Sequence, residues 1–240
     1  MRRDIVLPME SLQGQSPPAS LPGQPVQNAS RLQHTLQCLD FCIEQAGTED
    51  GITLGTALDR LGGAGFCFVS LLLAAPFIQP VSLGPYTMAS GITFIAIGWQ
   101  MGRGREHMIL PEKANGLHLR GKAWVAILRF CRRLLVWLAK FTRPRLTAWV
   151  DGAEGTKRVG WLIFVGGILL TIPWANLPFN NTVPALMIFF AALAWLERDG
   201  LMAVMSIIWG VLTLVYFAVT AGVILWAGTN AIDWVKGWLR

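Results

Sequence analysis

Three long stretches of the chain contain no Asp, Glu, Lys or Arg, and they constrain the fold more than any other feature. They are Leu61 to Gly102, Val159 to Leu196 and Leu201 to Ile232. A bilayer hydrocarbon core about 30 Å thick requires roughly 20 apolar residues for each helical crossing. The first two stretches are each long enough for a pair of helices, and the third for one span. Because 53% of the residues are hydrophobic and 14% charged, a soluble protein is excluded and an all-α integral membrane protein is predicted.

The positive charge is concentrated between the first two apolar stretches. Thirteen of the twenty Lys and Arg residues lie between Arg103 and Arg158. Positive residues in short loops favour the cytoplasmic side of a membrane. We therefore expect a multi-pass protein whose 103–158 segment is cytoplasmic. This topology, together with anionic lipid, accounts for the net charge of +6, so no nucleic-acid partner is expected.

Prolines interrupt the first two apolar stretches in the same order. The first contains "PFIQPVSLGP" and the second "IPWANLPFNNTVPAL", and corresponding prolines are 97, 98 and 99 residues apart. Proline lacks a backbone donor and breaks a helix. The predicted structural helix breaks are Pro76, Pro80, Pro85, Pro173, Pro178 and Pro184. The common order favours two internal repeats, each a short amphipathic helix plus a proline-broken helical hairpin.

The arms of these hairpins are short. Leu61–Ala75, Val159–Ile172 and Pro184–Glu197 would reach about 21–23 Å at 1.5 Å per residue, less than a hydrocarbon core. Irregular backbone at such depth must be packed inside protein or face a water-filled cavity. We favour re-entrant hairpins whose tips meet in the interior. The alternative is that the tips reach the far interface, where Tyr86 and Trp174 would be anchors.

Polar side chains are concentrated at the two predicted tips. The candidate substrate-binding residues are Gln79, Ser82, Asn176, Asn180, Asn181 and Thr182. If the tips converge, helix N-termini at Pro85 and Pro184 would point into one polar cavity suited to an anionic group. The alternative is that Asn181 or Thr182 caps the helix that begins near Pro184.

An amphipathic pattern follows the first hairpin. Its membrane-surface basic stripe consists of Lys122, Arg129, Arg132, Arg133 and Lys140. A crossing would place three of the arginines near the bilayer centre, at about 2.5–3.5 kcal/mol each. We therefore expect this helix to lie in the cytoplasmic interface, next to anionic membrane lipids. An anion-guiding surface is the alternative.

These patterns divide the chain into six segments. They are a disordered tail (1–30), short amphipathic helices (31–62), a first membrane hairpin (63–104), a basic amphipathic interfacial helix (105–145), a second membrane hairpin repeat (146–200), and a C-terminal transmembrane helix and tail (201–240).

The chemistry-bearing residues do not form a recognisable catalytic or metal-binding pattern. The four cysteines and three histidines lack metal-ligand spacing, so no metal site and no cofactor is predicted. The turn Glu197-Arg198-Asp199 is interpreted as a solvated turn with a helix-end ion pair rather than as catalytic. We therefore expect a protein that is not an enzyme.

Between about Ile52 and Gly210 the chain contains the motifs "TLGTALDRLGGAGF", "GWQMGRGREHMILPE", and "NTVPAL" followed by "ERDGL". These motifs resemble the ExoD family of bacterial exopolysaccharide-synthesis membrane proteins. The break "PFIQPVSLGP" departs from the family's Pro-x-Pro-Gly pattern. The resemblance implies an inner-membrane location and a part in exopolysaccharide production. It implies no agreed reaction and no catalytic residues.

Two classes of function fit these expectations. Gly/Pro-interrupted hydrophobic segments in corresponding positions favour a transporter or a lipid- or anion-handling protein. The short copies favour a homo-oligomer, a dimer, that completes the pathway. The alternative is a noncatalytic scaffold or regulator of the exopolysaccharide machinery, with that machinery as its partner.

Overall fold

The computed structural model describes residues 30–79, 84–140, 146–172 and 179–238, which are mainly helical. The helices are α1 Ser30–Ala46, α2 Leu54–Leu61, α3 Gly63–Ala74, α4 Pro85–Gly102, α5 Glu112–Asn115, α6 Lys122–Leu138, α7 Gly152–Thr171, α8 Thr182–Glu197 and α9 Gly200–Trp238, with 3-10 turns at Ala75–Ile78 and Thr147–Trp149. An antiparallel ladder pairs β1, Ile52–Thr53, with β2, His118–Leu119. The all-α class is confirmed, and the two-residue ladder is a feature that the sequence pattern did not predict.

Local sequence sets both ends of α2. The Thr53 hydroxyl accepts a hydrogen bond from the Thr56 amide at 3.2 Å and so caps the first turn. Gly62 ends the helix with a φ of 52°, a left-handed value that favours glycine. The chain then bends by 118° into α3. The apolar face of α2, including Leu58 and Leu61, is buried, as its spacing predicts.

Helices α4 and α7 pack with their backbones in direct contact. A Cβ atom at Gly98 would lie 2.3 Å from the backbone nitrogen of Phe164, and one at Gly160 would lie 2.3 Å from that of Gly102. The order of these contacts shows that α4 and α7 are antiparallel. Small residues at such crossings are typical of helices packed in membranes, where close backbone approach supplies the contact energy.

Helix α3 packs against α8, so each helix of the first pair (α3 and α4) contacts one helix of the second pair (α7 and α8). At the start of α3, Gly63 lies against the Trp195 indole near the end of α8. After the 3-10 turn that follows α3, the Gln79 carbonyl accepts a hydrogen bond from the Thr182 hydroxyl at the start of α8. We call the Gln79–Thr182 end the tip end and the Gly63–Trp195 end the basal end. Both pairs begin and finish at the basal end.

Helices α1 and α6 form an antiparallel pair beside this bundle. The amide of Gly121, just before α6, donates to the Ala46 carbonyl at the end of α1 at 3.0 Å. Arg132 of α6 donates to Asp40 of α1 at 2.6 Å. Cys131 of α6 lies within the same hydrophobic core as α3. The α1–α6 pair is attached to the bundle through α3 on the α6 side and through α8 on the α1 side.

Helix α9 is the longest element and is mostly exposed. It is attached to α8 by the Ser206 hydroxyl, which donates to the Met187 carbonyl at 2.8 Å. Within the described residues, its Gly200–Ala227 part is the one helix long and apolar enough by itself to cross a membrane. At 1.5 Å per residue this part is about 42 Å long. The bent α2–α3 segment, continued to Ile78, passes the same test as a pair.

Three helix boundaries differ from the sequence-based ones. Helix α7 begins at Gly152, before the predicted start at Val159. This arm therefore has 20 residues and spans about 30 Å. The polar Gly152–Arg158 segment continues the apolar helix because nothing in it breaks the backbone pattern. Helix α6 begins at Lys122, after α5 and β2, within the predicted 105–145 segment, and α9 extends to Trp238, through most of the predicted tail.

Candidate functional site

The tip end joins the two helix pairs through polar side chains. The Asn181 amide donates to the Thr87 hydroxyl at 3.2 Å, and the Thr182 hydroxyl donates to the Gln79 carbonyl at 3.3 Å. Thr87, Asn181 and Thr182 are all buried. The hydrogen bonds satisfy groups that would be costly to bury alone. Two hydrogen bonds therefore join residues that are about 100 positions apart in the chain.

Asn181 has a different partner from the one that helix capping requires. It occupies the N-cap position of α8, but its side chain makes no capping hydrogen bond. Its amide is directed across the tip end to Thr87 of α4 instead. The capping interpretation of Asn181 is therefore wrong. Thr182 is the first residue of α8 and also bonds across the tip end.

The other predicted tip residues are placed less centrally or lie outside the described ranges. Gln79 contributes its carbonyl to the contact, while its side chain is exposed. Asn180 is half-buried. The predicted positions that lie outside the described residues are Ser82, Asn176, Pro80, Pro173 and Pro178.

Three of the six prolines predicted to break helices are described, and all three lie at helix ends. Pro76 falls in the 3-10 turn that follows α3, Pro85 is the first residue of α4, and Pro184 lies in the first turn of α8. Proline is tolerated at these positions because the first amides of a helix have no partner within it. Thr87 was missed in the sequence analysis. The available signal was a hydroxyl residue in the first turn of α4, the same turn as Pro85.

A group of charges lies at the basal end. Arg198 follows α8 in a left-handed conformation with a φ of 54° and holds both carboxylate oxygens of Asp151, at the start of α7. The hydrogen bond to Asp151 raises the pKa of the Arg198 guanidinium. Asp199 is buried and accepts the Leu201 amide at 2.9 Å. The Glu197-Arg198-Asp199 turn is therefore not the solvated turn that the sequence suggested, because Asp151 of α7 draws Arg198 inward.

Arg31 of α1 joins the same group. Its guanidinium is 4.4 Å from the centre of the Trp195 ring, donates to the Trp195 carbonyl at 3.3 Å, and lies 3.7 Å from Asp151. The Trp195 indole donates to the Thr156 hydroxyl at 2.9 Å. Burial lowers the pKa of Arg31, with the nearby Asp151 carboxylate acting in the opposite direction. The basal end is thus fixed by contacts among α1, α7 and α8.

Helix α6 presents three faces, not the two that its sequence predicted. Its buried residues are Leu128, Cys131, Leu135 and Leu138; the helix packs on α1, and Cys131 and Leu135 lie beside Phe68 and Leu71 of α3. An exposed apolar face consists of Ile127, Phe130 and Trp137. Of the predicted basic stripe, Lys122, Arg129, Arg133 and Lys140 are exposed, whereas Arg132 is half-buried and paired with Asp40. Ile127 is 41% exposed.

Among the described residues, no group of three or more His, Cys, Asp or Glu side chains is placed to hold a metal ion. The tip end contains buried polar contacts, and the basal end contains a group of charges. Each joins the first helix pair or α1 to the second pair. Neither contains a nucleophile with an adjacent general base, the arrangement that covalent catalysis requires.

Comparisons with known proteins give a consistent family. The family model described as "Exopolysaccharide synthesis, ExoD" matches residues 35–219. Protein ExoD of Rhizobium meliloti (strain 1021) is 33% identical over 168 residues, which cover 70% of this chain and 70% of that protein. An uncharacterised protein of Synechocystis sp. is 26% identical over 185 residues, covering 73% of this chain and 81% of that protein. No solved structure matches the chain. The family match spans most of the bundle, including tip and basal ends, and the chain therefore belongs to the ExoD family of exopolysaccharide synthesis.

Proposed function

We propose that this ExoD family member is a multi-pass protein of the bacterial inner membrane that moves or holds an anionic lipid or ion during exopolysaccharide production. It catalyses no reaction itself. The observation that carries the proposal is the tip end, where Asn181 bonds to Thr87 and Thr182 bonds to the Gln79 carbonyl. Polar side chains buried among membrane helices are costly, and they commonly mark a path or a binding site.

The direction of the helices supports an anionic cargo. Helices α4 and α8 both begin at the tip end, at Pro85 and Thr182. The N-terminus of a helix carries a partial positive charge and free amide donors. Two such ends at one place favour a negatively charged group. The proposed cargo site therefore comprises Asn181, Thr182, Thr87 and the backbone of Gln79.

The pairing of the helices and the length of α8 support two further parts of the proposal, the internal repeats and the re-entrant tips. Helix α4 lies on α7 while α3 lies on α8, which is the arrangement that a two-fold relation between the two pairs would produce. Helix α8 has 16 residues and reaches about 24 Å, short of a full hydrocarbon core. We propose that the two pairs are repeats whose tips lie within the membrane, and that a dimer completes the pathway.

The proposed orientation places the basal end and α6 in the cytoplasm. Phe130 is 60% exposed and Trp137 is 54% exposed, beside the exposed basic residues of α6. Apolar and basic residues on adjacent faces suit a helix that lies in the membrane interface and contacts anionic lipid. This surface also favours the second candidate function, a scaffold that docks the exopolysaccharide machinery.

The tip-end site is tested with Asn181→Ala, measuring exopolysaccharide output in cells together with protein abundance and thermal unfolding. Ser70→Ala is the matched control, because the Ser70 hydroxyl is also buried and donates to the Phe66 carbonyl at 2.8 Å, within α3. We expect Asn181→Ala to lose most output at near-normal abundance, and Ser70→Ala to change output only in proportion to stability. The Gln79→Ala variant retains the backbone carbonyl that accepts from Thr182, so the protein should unfold at the native temperature.

Two results would contradict the proposal. Full output from Asn181→Ala would remove the tip-end site, since no cargo contact would then depend on that amide. Flux measurements distinguish the two functions: purified protein in liposomes should move an anionic lipid probe or an anion by itself. A scaffold moves nothing alone, so the absence of flux with intact folding would favour docking through α6.

A further inference from the structure

We propose that the basal end contains a binding site for a phosphate or diphosphate group, separate from the tip-end site. A cavity of about 510 Å³ lies between the start of α3, the end of α4 and the start of α7. The side chains that line it include Arg31, Arg105, Glu106, His107, Thr156 and Trp195. It is large enough for a diphosphate with part of an attached group, since ligand cavities begin at about 300 Å³.

The cavity wall contains a cation whose counter-ion is shared. Asp151 is the carboxylate that faces Arg31, but both of its oxygens are held by Arg198. Arg31 is left with a longer approach to Asp151, 3.7 Å, and with the Trp195 ring and carbonyl. Two guanidinium groups thus share one carboxylate in a half-buried place. A further anion at Arg31 would balance that charge, and its oxygens suit the planar donors of arginine.

A second cation, Arg105, lines the cavity from a loop that the structure holds in place. Gln100 of α4 accepts the Ile109 amide at 2.7 Å and donates to the Ile109 carbonyl at 3.2 Å. These two bonds close the segment that carries Arg105 and His107. The Arg105 amide also donates to the Gln100 carbonyl at 3.2 Å. The Gln100 side chain of the "GWQMGRGREHMILPE" motif therefore positions a basic loop over the cavity.

The start of α7 adds backbone donors to the same wall. Gly152 and Ala153 line the cavity, and Asp151, the N-cap residue, makes no side-chain capping bond because Arg198 holds its carboxylate. The Asp151 side chain therefore leaves the first amides of α7 without a capping partner, and such amides at a helix N-terminus can bind phosphate. Glu106 also lines the wall, but two cations, Arg31 and Arg105, line it as well. The balance of the wall is cationic.

The site is tested by isothermal titration of the purified full-length chain in a nonionic detergent. The probes are inorganic pyrophosphate and farnesyl diphosphate, with farnesol and sodium chloride as blanks. We expect both diphosphates to bind the native chain and neither blank to do so. Arg105→Gln should weaken diphosphate binding by about tenfold or more, since it removes a charged donor.

Arg103→Gln is the matched control. It removes the same charge two residues away, but the Arg103 guanidinium lies 4.4 Å from the centre of the Trp99 ring, and Arg103 does not line the cavity. Its affinity should stay within about twofold of the native value. Arg31→Gln gives a second loss from α1, with thermal unfolding measured alongside to show that the variant is folded.

The results separate the sources of the phosphate group. Tighter binding of farnesyl diphosphate supports a lipid headgroup as ligand, and equal binding of pyrophosphate supports a soluble one. No binding of either probe, or equal loss from Arg103→Gln and Arg105→Gln, would overturn the site. The inference does not rest on the tip-end proposal: Asn181→Ala should leave diphosphate binding unchanged, so that either site can fail alone.

Discussion

Single residues at the basal end link distant parts of the chain. Arg198 adopts a left-handed conformation that turns its guanidinium toward Asp151, and the side chains of both residues are less than a quarter exposed. A carboxylate removed from such a pair leaves a cation in poor contact with water. Lys157 and Glu154 form an ion pair one turn further along α7, but their side chains are far more exposed.

Asp151→Asn should therefore lower the free energy of unfolding by about 1–3 kcal/mol, less than for a fully buried pair because water still reaches both groups. Glu154→Gln, which breaks the exposed pair, should leave the unfolding temperature unchanged, since such pairs contribute little. Thermal unfolding in detergent checks both. Equal effects of the two variants would show that the Arg198–Asp151 pair carries no special share of stability.

Among the elements, the α4–α7 crossing depends most on its sequence. Glycines recur seven residues apart on each helix, at Gly91 and Gly98 of α4 and at Gly160 and Gly167 of α7. A Cβ atom at Gly98 or Gly160 would meet backbone of the other helix, which cannot rotate aside as a side chain does. The crossing distance is set by these contacts.

Gly98→Ala should separate α4 from α7 and lower the unfolding free energy by at least about 1–3 kcal/mol, the usual cost of overpacking. Gly222→Ala on α9 is the control, because a Cβ atom there meets nothing within 4 Å and alanine favours a helix. Unfolding temperature and crosslinking between α4 and α7 measure the effect. An unchanged Gly98→Ala variant would show that the helices can repack without cost.

Element boundaries were predictable where a residue fixes the backbone, and less so elsewhere. Thr53 and Gly62 mark both ends of α2, and Pro85 marks the start of α4. The start of α7 was misplaced because charge marks the edge of an apolar stretch and does not mark the end of a helix. The tip residues Asn181 and Thr182 could be chosen from composition. Their partners could not, because hydrogen bonds across about 100 residues have no local pattern.

On the scale of the whole molecule, the basal and tip ends provide a test of the proposed topology. Glu112 is exposed on the basic segment, and Tyr86 is 75% exposed beside the tip end. Thr156 is less suitable as a probe, since its hydroxyl accepts the Trp195 indole. Single cysteines at Glu112 and Tyr86, in a chain without Cys38, Cys42, Cys67 and Cys131, report each end separately.

With the basal end in the cytoplasm, Glu112→Cys should resist a membrane-impermeant thiol reagent in intact cells and react after permeabilisation. Tyr86→Cys should react in neither case if the tip end lies within the bilayer. Rapid reaction of Tyr86→Cys from outside would instead support arms that span a thinned membrane. Rapid reaction of Glu112→Cys from outside would contradict the orientation.

Each helix of the first pair packs on a helix of the second pair, and this packing determines when the protein can fold during synthesis. Helix α4 packs on α7, and α3 packs on α8, yet both partners follow the whole 103–151 segment in the chain. When the first pair leaves the ribosome, its glycine-lined surface has nothing to contact until the second pair has been translated. A nascent chain halted before α7 therefore lacks the partners of both α3 and α4, and the first half of the molecule depends on the second half for its assembly.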